Sequence, residues 1–344
     1  MISLRKSLTL LTAVLFLGCM TKDKTLKIGL LMDTLQTERW QHDRDAFVKR
    51  CEELGAKVLV QVANGNDATM NSQAENLLTQ GVSVLVVVPH NGTAAATIVD
   101  AAHKANVKVI AYDRLIMNSD LDLYVSIDAV GVGARQAEYL VNRMPKGNYV
   151  VIEGAPTDNN AALLRKGQFQ VLQPYIDRGD IKIVGDQWAK DWLPVEALKI
   201  MENTLTRMGN KVDAVLASND GMAGGAIQAL AEQNLAGKVL VTGQDADLAA
   251  CQRIVEGTQS MTIYKSLTEE AYKAAEMAVA MAKNEPLTEK TTMVPNGKKD
   301  VPSILLVPMS VDKDNITATI IADGFQKKED VYKNLPKETE TAKK

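Results

Sequence analysis

The side chains best equipped for chemistry stand where apolar runs end. The run Val107-Lys108-Val109-Ile110-Ala111-Tyr112 stops at Asp113-Arg114, an acid beside a base. Residues 214–218 stop at Asn219-Asp220, and residues 239–243 at Gln244-Asp245. Carboxylates accept hydrogen bonds, guanidinium groups donate them, and amides do both. Gathered round one cleft, such groups would suit a small polyhydroxylated molecule, each of whose hydroxyls both donates and accepts. The runs before them are short, apolar and rich in β-branched residues, which marks strands buried on both faces of a parallel sheet. In open α/β sheets the ligand crevice lies beyond the carboxyl ends of the strands, and the polar pairs fall there.

The elements that must hold these groups follow from periodicity. Strands are predicted over 26–32, 58–63, 82–88, 107–111 and 124–127, with helices over 39–54, 68–80 and 93–105. In the first helix Phe47, Val48, Cys51 and Leu54 recur at helical spacing, and Gly55 stops it. The pattern restarts with a helix over 130–144. Strands over 149–153, 181–184, 214–218, 239–243 and 261–264 then alternate with helices over 161–175, 194–208, 222–234 and 246–256. Pro194 suits the first position of its helix. Alternation of this kind means parallel sheets covered by helices on both faces, and two such halves suggest two lobes about a hinge. A long Ala- and Met-rich helix over 267–283, a Lys-, Thr- and Asn-rich loop to 301 and a last strand over 304–308 follow. Pro308, with the loop before it, suggests a third crossing between the lobes. From residue 326 the chain is charged and lacks apolar periodicity, so the tail from there is expected to be loose, with 329–344 a flexible end.

Composition narrows the class. The 344 residues allow two domains. Hydrophobic residues make up 46% and charged residues 24%, ordinary for a globular protein. A net charge of -3 gives no basis for a nucleic-acid partner. Residues 1–19 read as an export signal: Arg5 and Lys6, an apolar run over 8–17 too short to span a bilayer, then Gly18-Cys19. Leu17-Gly18-Cys19 resembles a bacterial lipobox, with Phe16 where Leu is usual. Cys19 would then be acylated and residues 20–25 would form a tether; plain cleavage nearby is the other reading. Cys51 and Cys251 fall in different halves and read as small apolar residues packed in helices rather than as a disulfide.

Other signatures fail on inspection. Gly131-Val132-Gly133 begins a dinucleotide fingerprint, but Gln136 stands where the third Gly belongs. Asp312-Lys313-Asp314-Asn315 lacks the central Gly and closing Glu of a calcium loop. His42, His90 and His103 share no metal-ligand spacing and read as surface residues. There is no Walker loop and no Gly-x-Ser-x-Gly elbow.

A family resemblance enters with an ordered set of segments: residues 26–33, Glu38-Arg39-Trp40, Ala63-Asn64-Gly65-Asn66, Ala111-Tyr112-Asp113-Arg114, Asp158-Asn159-Asn160-Ala161, Gly185-Asp186-Gln187-Trp188, Ser218-Asn219-Asp220, Gly243-Gln244-Asp245-Ala246-Asp247 and Tyr264-Lys265. Each is weak alone. In this order and spacing, over almost the whole chain after residue 25, they resemble the D-xylose binders among the periplasmic sugar-binding proteins of bacterial ABC importers. Met222-Ala223, Lys190 and the lipobox depart from the usual form without removing a ligand position.

The resemblance implies a type I periplasmic-binding-protein fold: two Rossmann-like lobes with parallel sheets, joined by three hinge crossings. Residues 26–132 with 266–306 would form the N-terminal lobe and 133–265 with 307–328 the C-terminal lobe. It implies that Arg39, Asp113 and Arg114 line the pocket from the first lobe and Asn160, Asn219 and Asp245 from the second. Lys265 would lie at a crossing. Trp40 and Trp192 would stack on the faces of a pyranose, and Asp158 would touch the sugar or support a residue that does. The ligand implied is D-xylose or a close monosaccharide, bound without cofactor or metal by a monomer. A membrane permease would be its partner, and a chemoreceptor would be a second reader of the closed form.

Taken singly, the same residues read blandly. Asn160 and Asp245 would be helix caps or turn formers, Arg39 a solvated charge, Trp40 and Trp188 core, and Lys265 surface. The resemblance reverses these readings together. Two further functions compete: a sugar-processing enzyme on the same scaffold, since fold does not decide function, and a sugar-responsive repressor. The lack of a nucleophile, cofactor or metal motif speaks against the first, and an export signal in place of a DNA-binding segment speaks against the second.

Overall fold

A computed structural model of the protein describes residues 25–335. Cys19 and all of the expected tether but its last residue lie outside them. The chain opens with β1 (Leu26–Met32), α1 (Glu38–Glu53), β2 (Ala56–Val62), α2 (Asp67–Thr79), β3 (Val84–Val87), α3 (Ala96–Lys104), β4 (Lys108–Tyr112) and β5 (Leu123–Ile127). A second unit follows: α4 (Ala129–Arg143), β6 (Gly147–Glu153), α5 (Asn159–Asp177), β7 (Ile181–Trp188), α6 (Pro194–Met208), β8 (Ala214–Ala217), α7 (Asp220–Glu232), β9 (Leu240–Val241) and α8 (Leu248–Glu256). The chain ends through β10 (Thr262–Tyr264), α9 (Leu267–Ala282), β11 (Thr292–Pro295), β12 (Asp300–Leu306), β13 (Met309–Val311), a π-helical turn (Thr317–Ile321) and α10 (Lys328–Val331).

The first sheet has seven strands in the order β11-β12-β5-β4-β3-β1-β2, and the second has four, in the order β7-β6-β8-β9. Both are parallel except at β11, which runs antiparallel to β12. Each sheet buries both faces, as the unbroken apolar runs require. Trp40, Phe47 and Cys51 of α1 pack with Ala271, Ala274, Ala275 and Ala278 of α9 on one face of the first sheet, and α2 and α3 cover the other. The alanines of α9 let that helix lie close. In the second sheet α6 and α7 cover one face, and α4 and α5 the other.

One glycine of the failed dinucleotide motif, Gly133, finds its reason here together with Gly167 on the facing helix. A Cβ on Gly133 would collide with the Leu164 carbonyl, and one on Gly167 with the Val130 carbonyl. These residues therefore let α4 and α5 meet backbone to backbone.

Three connections join the units. Asp128 links β5 to α4, Lys265-Ser266 links β10 to α9, and Val307-Pro308 links β12 to β13. Three departures from the sequence reading appear. The polar loop before residue 301 contains β11, an exposed edge strand without apolar alternation, held at its turn by Asn296, whose amide donates to the Ile116 and Ser119 carbonyls. The segment over 261–264 is no member of the parallel sheet but pairs antiparallel with β13. The looseness expected from residue 326 does not hold for 326–335. There α10 seats Val331 in a core with Cys251 and Ile254 of α8, and Gln252 donates to the Asp330 carbonyl. Phe325, Val331 and Tyr332 supply apolar contacts that the surrounding charges hide in the sequence.

Candidate functional site

Strand register brings the polar ends together. β1, β3 and β4 align Leu31 with Val87 and Val87 with Ala111. Their next residues, Asp33, Pro89 and Asp113-Arg114, therefore share one rim. In the second sheet Ile152 aligns with Ala217 and Glu153 with Trp188, which sets Gly154, Asn219 and Asp245 on the facing rim. One cavity between the units is lined by Arg39, Trp40, Asp113, Arg114, Asp158, Asn160, Trp192, Asn219, Asp245 and Lys265, all the residues singled out in the sequence. Thr37, Ser126, Gln244 and an apolar wall of Ile127, Ala129, Val132 and Leu164 complete it.

The backbone is strained at three of these residues. Asp113 has φ 61°, Trp192 φ 59° and Asp245 φ 101°, and their neighbours Asp191 and Ala246 are also left-handed. Such conformations cost non-glycine residues about 1–3 kcal/mol each and persist only where the surroundings over-determine them. At Asp113 the constraint is explicit: its carbonyl accepts from Tyr124 Oη (2.8 Å), Ser126 Oγ (2.6 Å) and Asn160 Nδ2 (2.8 Å). At Trp192 it is steric, because the indole lies against Gly154, where any Cβ would collide with it.

Charge in the cavity is closely paired. Arg39 Nη1 donates to Asp113 Oδ2 (2.8 Å), while its Nε and Nη2 hold Asp43 at 3.1 and 3.3 Å. Arg39 also lies 3.6 Å from Asp245 and 3.6 Å from Glu270. Arg114 spans the units: Nη1 reaches Asp33 (2.8 Å) and Nε reaches Asp158 (2.9 Å). Lys265 Nζ sits 3.1 Å from Asp245 and 3.5 Å from Asp113. Burial would raise the Asp113 carboxyl, but Arg39, Lys265 and Arg114 outweigh it and hold the group well below the usual carboxylate range. Burial and the nearby Asp113 instead push Glu270 far up, and its two oxygens make no hydrogen bond. Burial likewise raises Asp158 against the pull of Arg114.

The bland readings resolve unevenly. Asn219 does cap α7, accepting from Met222 N, and Asp158 caps α5, accepting from Asn160 N. Asn160 and Asp245 cap nothing; Asn160 instead reaches across to Asp113 and Tyr124. Trp40 is both core and cavity wall, and the guanidinium carbons of Arg39 and Arg114 lie 4.0 and 5.3 Å from its ring centre. Trp188 is not core but 39% exposed. His90 is no surface residue: it is largely covered and lies 3.1 Å from Asp33.

Asp33, Asp43, Glu270, Tyr124, Ser126 and Gly154 were invisible as individual contributors. Asp43 stands four residues from Arg39 on α1, a spacing that could have betrayed it, as could an acid inside the Ala-rich α9. The clamp on Asp113 left no local signal. Among the described residues no cluster of three His, Cys, Asp or Glu side chains suits a metal ion, and no helix is long and apolar enough to cross a membrane.

Known proteins are similar to this chain in sequence and fold. Residues 28–286 match the family model described as the periplasmic binding protein domain. The D-xylose-binding periplasmic protein of Haemophilus influenzae is 54% identical over 325 residues, 94% of this chain and 98% of that one. Its counterpart in Escherichia coli K12 is 53% identical over 324 residues, with the same coverage. Among solved structures, a carbohydrate-transporter solute-binding protein from Chloroflexus aurantiacus in complex with D-glucose superposes with a TM-score of 0.83 at 33% identity, covering 89% of this chain and 98% of that one.

Proposed function

The chain belongs to the periplasmic-binding-protein family, and from that premise we propose that it binds D-xylose, or a closely similar monosaccharide, between its lobes and delivers it to an ABC importer. The observation that carries the reading is the ring of alternating charge Arg39–Asp113–Lys265–Asp245, built from both units and a crossing and set between two tryptophans. Acids and bases are present together, so a neutral ligand suits the site better than an ion. Each hydroxyl of a pyranose finds acceptors in Asp113 and Asp245 and donors in Arg39, Arg114, Asn219 and Lys265. A hydroxyl left unpaired in the closed cavity costs about 1–3 kcal/mol, which separates epimers. The indoles of Trp40 and Trp192 cover the C–H faces of the ring.

The partners stand on both lobes, so only the closed form satisfies every hydroxyl. The sugar therefore draws an open–closed equilibrium toward closure by its differential affinity, and the closed shape is what a permease reads. The two curated relatives are named as binding proteins, which favours binding over turnover. The wall of Ile127, Ala129, Val132 and Leu164 offers no hydrogen-bonding side chain. A hexose whose extra hydroxymethyl met it would leave a hydroxyl unpaired.

A thermal-shift panel tests the reading. D-xylose raises the melting temperature, and ribose, arabinose and galactose do so far less. A flat response to every sugar, or conversion of xylose to a product, overturns it. Export through residues 1–19 with anchoring at Cys19 completes the proposal. Labelled palmitate enters the wild type but not Cys19→Ser if the anchor is real.

A further inference from the structure

The helix that follows the Asp245 loop is capped from the wrong side of the cleft. Asp247, at the N-cap position of α8, makes no side-chain cap, and its own N–H donates to Asp220. The first helical N–H, that of Leu248, donates instead to both carboxylate oxygens of Glu38, at 3.2 and 3.3 Å. Glu38 belongs to the first turn of α1, on the opposite lobe. Its Oε1 also accepts from Gln326 Nε2 at 3.1 Å, and the same amide donates to the Ala246 carbonyl at 3.1 Å. Glu38 thus holds the chain that follows Asp245, directly at Leu248 and through Gln326 at the left-handed Ala246.

One turn along α1, the ring of His42 packs on Phe325 at 5.2 Å, and Phe325 packs on Tyr264 at 5.5 Å, next to Lys265. Apart from His42, the partners found for the Glu38 carboxylate all lie across the cleft. These contacts join the two lobes, and opening of the cleft would break them. On opening, Leu248 N–H and the positive end of α8 return to water.

Resting on the sugar-binding reading above, we propose that Glu38 is a closure latch: by capping α8 across the cleft it holds the Asp245 loop over the bound sugar and slows ligand release. It is a positioning residue, acting through Asp245. A residue that merely stabilised the fold would lower the stability of the ligand-free protein. A latch changes only the closed complex, and so the dissociation rate.

Stopped-flow tryptophan fluorescence with D-xylose, paired with melting of the ligand-free protein, separates the two. Glu38→Ala is expected to raise the dissociation rate about tenfold, with the association rate within about twofold of wild type. Its ligand-free melting point should stay at the wild-type value. Glu38→Gln, which keeps one acceptor oxygen, should fall between the two proteins, and Gln326→Ala should shift the rate in the same direction. A Glu38→Ala protein that releases xylose at the wild-type rate overturns the latch while leaving the sugar-binding reading intact. So does one whose ligand-free form melts as much lower as its complex. A wild type that binds no monosaccharide removes both.

Discussion

The two walls of the cavity are built differently. On the N-terminal side each base is fixed before any ligand arrives: Arg39 by the fork to Asp43, and Arg114 by Asp33 and the Pro89 carbonyl. On the C-terminal side the polar groups ride on loops, and Asp245 and Trp192 sit in left-handed backbone held by neighbours rather than by their own ion pairs to that lobe. The bases of the first wall are pre-organised by charge, with Asp113 its one strained residue, and the second wall is held by strain and sterics. Pre-organisation lowers the cost of binding, and a strained loop that is fully held only in the closed form couples that binding to movement.

Breaking the charged wall should do most harm. Arg114→Ala leaves Asp33 and Asp158 buried without their cation. The protein should lose xylose binding by calorimetry and about 3–5 kcal/mol of stability in denaturant titrations. An Arg114→Ala protein with wild-type stability would mean that this wall is less dependent on charge than its geometry indicates.

The steric wall should respond in affinity as well as in stability. In Gly154→Ala the new methyl collides with the Trp192 indole, and overpacking of this kind costs about 1–3 kcal/mol. The expected result is a loss of xylose affinity of about five- to a hundredfold. The Arg114 side of the cavity should be unaffected. Unchanged affinity would show that Trp192 is not a platform for the ligand.

The smallest effect is one of pH, and its sign differs from group to group: the folded-state pKa is low for Asp113 and high for the buried Glu270, Glu153 and Asp220. The folded-state Asp113 carboxyl lies below its unfolded value, so its contribution is present above the unfolded pKa and is lost only as strong acid protonates it. In the other lobe burial raises Glu153 to about 7, against Arg165 and Ser218. Its folded state holds a proton that the unfolded chain releases near 4.5. Stability from this group is therefore present at low pH and lost as pH rises from about 4.5 to about 7. Asp220, raised to about 7 mainly by burial, adds in the same direction. Once corrected for the intrinsic exchange rate, hydrogen exchange in the C-terminal sheet should be slower at pH 5 than at pH 7.5, and Glu153→Gln should flatten the difference. A pH response left unchanged by Glu153→Gln would refute the assignment.

Much of this was legible in the residues. The alternating apolar runs announce two parallel sheets because a strand buried on both faces has no room for polar side chains. The polar pairs at their ends announce the cavity because register places equivalent strand ends on one rim. What stayed hidden was whatever depends on a distant partner. β11 is a strand only because β12 offers it an edge, and residues 326–335 are ordered only because α8 presents an apolar surface to Val331.

The order of apolar and polar residues along the chain determined by itself the fold class, the two-lobed plan and the polar strand ends Asp113-Arg114, Asn219-Asp220 and Gln244-Asp245; the other side chains that meet in the cavity were legible only through the family resemblance of the sequence. Periodicity and strand-end chemistry are local properties and need no knowledge of the rest of the molecule. Tertiary structure alone decided how those side chains are held: Asp113 by three donors from β5 and α5, Trp192 by the absence of a side chain at Gly154, and the Asp245 loop by Glu38 across the cleft. Those are contacts between residues far apart in sequence, and their geometry exists only once both lobes are folded and brought together.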